Sequence, residues 1–146
     1  KVSCLALPQD IGALDELFFP DVFPQPNREI GIPDVILIQD AHAHYGAQQS
    51  IARTLSHLRE RTGIDTIAVE GAGGYADLSS VQGLPETEAK RQVLDFYLKE
   101  ALITGAGLAA LSAEKPFHFI GVEDKALYER DRKLELIARK IRQEEL

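Results

Sequence analysis

The spacing of apolar positions changes several times along the chain, and each change predicts an element. Val35-Ile36-Leu37-Ile38 is an unbroken, β-branched run, the pattern of a strand covered on both faces. Between Ala47 and Thr62, Ile51, Leu55 and Leu58 recur at helical spacing, and Gly63 supplies the stop. Thr66-Ile67-Ala68-Val69 predicts a second strand. Gly71, Gly73 and Gly74 then open a loop expected to continue through Asp77-Leu78-Ser79-Ser80 to Gly83. Pro85 suits the first turn of a helix reaching about Ile103, with Val93, Leu94, Tyr97, Leu98, Ala101 and Leu102 toward the core; Glu86 and Glu88 complement its positive end. Thr104-Gly105 interrupts, and a shorter Ala/Leu-rich helix follows to about Ala113. Phe117 to Val122 predicts a third strand. After Glu123-Asp124 a last helix sets Leu127, Leu134, Ile137, Ala138 and Ile141 on one side and Lys, Arg and Glu on the other.

Strands that alternate with helices predict an α/β domain: a parallel sheet of about three to four strands joined by right-handed crossover helices. Residues 1–30, broken by Pro8, Pro20, Pro24 and Pro26, are expected to form an irregular arm with a helical turn or two, and residues 31–146 the α/β domain. The chain contains no Met, and its last helical pattern is still running at Leu146, so an incomplete domain, the N-terminal portion of a longer protein, is expected.

Composition narrows the partners. A chain of 146 residues has room for one core, and 16 Lys+Arg against 23 Asp+Glu give −7, the wrong sign for a protein held to nucleic acid through phosphates. No apolar stretch approaches the ~18 residues of a membrane span, and no secretory signal pattern is present. The lone Cys4 excludes an internal disulfide and a cysteine-built zinc cage. A small-molecule partner is expected, and the apolar stripe of the last helix adds an oligomer as a further expectation. The compartment, bacterial cytoplasm or cell envelope, stays open.

In parallel sheets ligands bind beyond the carboxyl ends of the strands. Each predicted strand ends in acid: Asp40, Glu70, and Glu123-Asp124. The segment Asp40-Ala41-His42-Ala43-His44-Tyr45-Gly46 adds two imidazoles and a phenol, a set able to ligate a metal or to perform acid–base work. Asp and His are equally ordinary helix-start residues, and for His44 a solvated loop role weighs as much. Gln48 either orients a bound group or caps a buried helix end. A carboxylate at Glu70, straight after four apolar residues, needs a partner or a ligand, and the glycines from Gly71 onward let backbone approach a bound group. Glu123 is balanced between a site and a helix start. His57 reads as a surface residue, His118 as a hydrogen-bonded core residue, and Tyr75 and Tyr128 as packing. Gly71-Ala72-Gly73-Gly74 lacks the Gly-Lys-Ser/Thr of a phosphate loop, so nucleotide binding has little support.

Ile38-Gln39-Asp40-Ala41-His42-Ala43-His44 resembles the strand-end HxH of amidohydrolase and PHP-type metal hydrolases, over those few residues only. The wider arrangement is similar to the superfamily that groups ChaN-like haem-uptake proteins, erythromycin-esterase-like hydrolases and the TraB/Tiki group. Asp40 with His42 ends the first strand, Gln48 falls in the following helix, and Glu70 ends the next strand. Segments IQDAH, AVEGA and GVEDKALY extend the likeness from about Leu7 to Tyr128. Gln39-Asp40 departs from the usual Gly-Glu, and the later family segments have no counterpart. The resemblance implies a hydrolase of erythromycin-esterase or Tiki type. In it His42, Asp40 and Glu70 are catalytic and Gln48 positions the substrate or water; by their own placement His44, Tyr45, Gly71 and Glu123 are further ligand-lining candidates, and His42, His44 and Glu70 are the candidate metal ligands. Two other readings stand beside it: haem or tetrapyrrole binding without catalysis, through Tyr45, His44 or Tyr75, and a non-catalytic regulatory or assembly domain. A divalent metal or haem is accordingly the cofactor to test.

Overall fold

The computed structural model describes residues 6–16, 35–39 and 43–144. Eight elements follow one another: α1 (Tyr45–Thr62), β1 (Thr66–Val69), β2 (Gly73–Tyr75), α2 (Ser79–Gln82), α3 (Glu88–Lys99), α4 (Gly105–Ser112), β3 (His118–Val122) and α5 (Lys125–Glu144). The α/β class holds, as a three-stranded sheet in the order β1-β3-β2. β1 and β3 are parallel, with Ile67 opposite Phe119 and Val69 opposite Gly121. β2 runs antiparallel to β3, with Tyr75 opposite Ile120.

Alternation along the strands separates the two faces of this sheet. Ile67, Val69, Phe117 and Phe119 point to one side, where they pack with Ala52 and Leu55 of α1 and with Ala106, Leu108, Ala109 and Ala110 of α4. The alanines are what let helix and sheet backbones come close. Gly105 at the start of α4 serves the same end: a Cβ there would run into the Gln48 carbonyl of α1. Arg59, near the end of α1, donates to the carbonyls of Lys115 (2.6 Å) and Pro116 (3.2 Å) and lies 4.1 Å over the Phe117 ring, which ties the helix to the entry of β3. The arm joins this side too. Ile11 is buried, its carbonyl accepts from Thr54 Oγ1 at 3.3 Å, and Asp10 pairs with Arg53 at 2.5 Å.

Local signals explain the helix limits. Gly63 takes a left-handed φ of 76° and its N–H reaches the Arg59 carbonyl at 2.8 Å, as its place after Thr62 predicts. Thr87 and Thr104 cap α3 and α4 by accepting from the N–H groups of Lys90 and Gly107.

Four expectations need correction. Residues Val35 to Gln39 form no strand and pair with nothing in the sheet, and Val35 and Leu37 are 82% and 80% exposed. A β-branched run becomes a strand only where a neighbour completes its ladder, and here the partner of β1 is β3. The glycine segment, read as a loop up to Gly83, contains β2 and α2. Its glycines permit close approach, because a Cβ at Gly73 would sit 2.8 Å from the Glu123 carbonyl oxygen, and one at Gly121 would overlap Ala72. The helix expected from Pro85 to Ile103 starts three residues later and stops at Lys99. Ala101 turns to a positive φ of 52° and the Leu102 N–H folds back to the Tyr97 carbonyl at 2.8 Å. Of its expected core residues only Leu94 and Leu98 are buried; Val93, Tyr97, Ala101 and Leu102 are exposed. Finally, His118 is not a core residue. It lies on the opposite face of β3 from Phe119, 64% exposed, with Nε2 4.0 Å from Asp65 Oδ2.

Candidate functional site

The parallel register is what builds a candidate site. Because Val69 faces Gly121, Glu70 comes level with Val122, and Glu70 and Glu123 both follow the last residues of their strands at the carboxyl ends of β1 and β3. Gly71, at φ 77°, then reverses the chain toward β2. Glu123 Oε1 accepts from the Gly71 N–H at 2.6 Å, and the Glu123 N–H donates to the Ala72 carbonyl at 3.0 Å. One carboxylate thus fixes the glycine turn while Glu70 stands beside it, exposed. Asp124 is engaged elsewhere: Oδ1 accepts from Ala126 N (2.9 Å) and Leu127 N (3.0 Å), the helix-start role.

The loop before α1 supplies the second group of candidates. Asp40 and His42 lie outside the described residues, so their part in the site rests on the sequence. Ala43 has a positive φ of 58°, after which His44 caps α1, its Nδ1 accepting from Ala47 N at 3.2 Å. Gln48 is buried, 5% exposed, and its Oε1 accepts from Gly105 N at 2.6 Å, tying the first turn of α1 to the start of α4. Among the described residues no group of three or more His, Cys, Asp or Glu stands ready to hold a metal ion.

Tyr45 opens a cluster that sequence patterns do not reveal. Its hydroxyl donates to Asp95 Oδ1 on α3, Gln49 Nε2 donates to the Tyr45 oxygen at 2.7 Å, and Lys99 Nζ lies 2.6 Å from Asp95 Oδ2 and 5.4 Å from the Tyr45 ring centre. The hydrogen bond to Asp95 pushes the Tyr45 phenol above its ordinary pKa. Lys99 first, then Tyr45, hold Asp95 below the usual carboxylate range, and Asp95 in turn raises Lys99. Asp95 and Lys99 are visible in the sequence only as an i, i+4 pair on a helix. Nothing local announces a tyrosine fifty positions away.

The remaining candidates are ordinary in placement. Tyr75 lies on β2, 68% exposed, and Tyr128 is half-buried in the first turn of α5. His57 Nε2 is 3.0 Å from the Ala6 carbonyl oxygen, an attachment for the arm. Two shallow concavities, of about 320 and 430 Å³, run along α1 and α4 rather than at the strand ends; the first is lined by Gly46, Gln49, Ser50, Ala52, Arg53 and Leu108. Both are open grooves; the first has no acidic or imidazole group in its lining, and the second has only His57, which is engaged with the Ala6 carbonyl, and Glu60, so the strand ends remain the better candidate. Compared with family models, with curated proteins and with solved structures, the chain matches none.

Proposed function

We propose that the carboxyl ends of β1 and β3 carry a small-ligand site of hydrolase type, in keeping with the resemblance to the ChaN-like, erythromycin-esterase-like and TraB/Tiki superfamily. The observation that supports it is the parallel register that sets Glu70 and Glu123 on one sheet edge, with Glu123 holding the Gly71 turn. In this reading Glu70 acts on the reacting water or substrate, and Glu123 positions the glycine turn against the ligand. His42, with Asp40 beside it in sequence, serves as base or metal ligand, since an imidazole near neutral pKa takes a proton from water or ligates a divalent ion. Gln48 is a positioning residue in the account: its amide oxygen fixes the start of α4, and its neighbours in the first turn of α1 follow the His42 loop.

Calorimetric titration with Zn²⁺ and Mn²⁺, together with hydrolysis of a panel of aryl and alkyl esters, tests this reading. Wild type should bind a metal ion or turn over an ester, and His42→Ala should abolish either by about 100-fold or more. A wild-type chain without metal uptake or turnover, or an unaffected His42→Ala, removes the hydrolase reading.

The haem alternative draws less support. An axial tyrosine binds iron as its anion, whereas the Tyr45 phenol is tied to Asp95 and harder to ionise than usual. His44 Nδ1 is committed to the helix cap. Titration with haemin, read at the Soret band, separates the two: a shifted band lost in His44→Ala favours haem over hydrolysis.

A further inference from the structure

The sheet face opposite α1 and α4 carries Ala68, Ile120, Val122 and Tyr75, the last three 36%, 63% and 68% exposed, and no described element covers it. The apolar stripe of α5 is equally bare: Leu127, Leu134, Ile137 and Ile141 are each more than half exposed. Two unpartnered apolar surfaces on one chain invite each other, but the connection discourages their meeting within a single copy. Asp124 caps α5, and Lys125 packs against Gly73 (Cα 3.5 Å from where a Cβ would stand), which fixes the first turn of the helix beside β2. Charge adds direction. α5 holds seven Lys and Arg against four Asp and Glu, a net of +3, whereas the rest of the chain holds nine against nineteen, a net of −10. A basic amphipathic helix attached to an acidic body is complementary to a second body of the same kind.

We propose that α5 is a dimerisation element: in a pair of copies, α5 of each lies across the bare sheet face of the other, its apolar stripe on Ile120, Val122 and Tyr75. The exchange is reciprocal, so the interface closes on itself as a two-fold dimer. A helix of 20 residues is about 30 Å long and about 10 Å wide, a footprint of roughly 300 Å². Counted on both surfaces and twice, that gives roughly 1,200 Å², the low end of stable interfaces, so association is expected in the micromolar range. An anionic membrane is the poorer occupant: Glu129, Asp131 and Glu135 interleave with the basic residues of α5, and the body at −10 is repelled by such a surface.

Sedimentation equilibrium at about 100 µM chain should give twice the monomer mass for wild type, and one monomer mass for Leu134→Glu on the helix and for Val122→Glu on the sheet. Both sites are more than half exposed, and circular dichroism confirms that the variants fold. In a Cys4→Ser background, Val122→Cys and Leu134→Cys chains mixed under oxidation should give a disulfide heterodimer that neither forms alone. A monomeric wild type overturns the proposal, as does a monomer that binds phosphatidylserine vesicles. So does a Val122→Cys/Leu134→Cys double variant that closes only within one chain, which means fold-back. Leu134→Cys linking to itself while the mixture stays unlinked means helix-on-helix pairing and also overturns it.

Discussion

The two faces of the sheet are built from the same three strands by the same alternation, yet one is closed and the other bare. On the closed face alanines of α4 and α1, joined by Leu55 and Leu108, pack against Ile67, Phe117 and Phe119, and the Arg59 guanidinium covers the Phe117 ring. On the bare face Thr66, Ala68, His118, Ile120, Val122 and Tyr75 meet solvent. The difference shows that burial in this chain follows helix placement rather than strand hydrophobicity, because Ile120 and Val122 are as apolar as the residues that are covered. The acidic strand ends sit on the edge between the faces, where the backbone is held by hydrogen bonds and not by packing.

Substitutions on the closed face should break this contrast most. Phe117→Ala, at 5% exposure, is expected to cost about 3–5 kcal/mol by urea unfolding; Leu98→Ala on α3, outside the cluster on the sheet but 2% exposed, should cost about 2–5 kcal/mol. Gly105→Ala should follow at about 1–3 kcal/mol, since the added methyl runs into the Gln48 carbonyl and the Ile51 Cβ. Gln48→Ala leaves the buried Gly105 N–H without its acceptor and should cost about 1–3 kcal/mol. On the bare face, Thr66→Ala and His118→Ala should shift stability by less than about 0.5 kcal/mol. Losses there as large as those of Phe117→Ala would mean that the two faces are equally covered.

The smallest effect concerns pH. Asp95 titrates lower in the folded chain than in the unfolded one, because Lys99 and Tyr45 favour its charged form. Its contribution is therefore complete above the unfolded carboxylate pKa and disappears as pH falls through the lowered folded value. Asp95→Asn should lower Tm slightly at neutral pH and not at all in strong acid. A difference that persists in acid would assign the effect to packing instead.

Much of the closed face was legible in the sequence. The periods of α1, β1, α4 and β3 and the stop at Gly63 follow from local chemistry, and so do the acidic tips of two strands. What escaped is long-range. Val35-Ile36-Leu37-Ile38 has the composition of a strand, but composition does not choose a partner, and β1 pairs with residues 52 positions downstream. Gly73 reads as flexibility because its requirement, close passage against the Glu123 carbonyl, is a property of chain far away in the sequence, while Gly74 is needed for its positive φ of 81°. His118 sits between two phenylalanines in sequence, and alternation places it on the other face from both. At the site, Glu70, Gly71 and Glu123 were identified as candidates, but that Glu123 holds Gly71 depends on the parallel register. The roles of Gln48 and His44 as caps were the plainer of the readings open for each. Asp95 and Lys99 could be recognised only once α3 was packed beside the start of α1.

The account turns on Glu70 as the reactive carboxylate at the paired strand ends. Its most direct test is the initial rate of ester hydrolysis by Glu70→Gln against wild type, with circular dichroism and Tm confirming that both are folded. A fall of about 100-fold or more with the fold intact is the predicted result; equal rates from two folded proteins would contradict it.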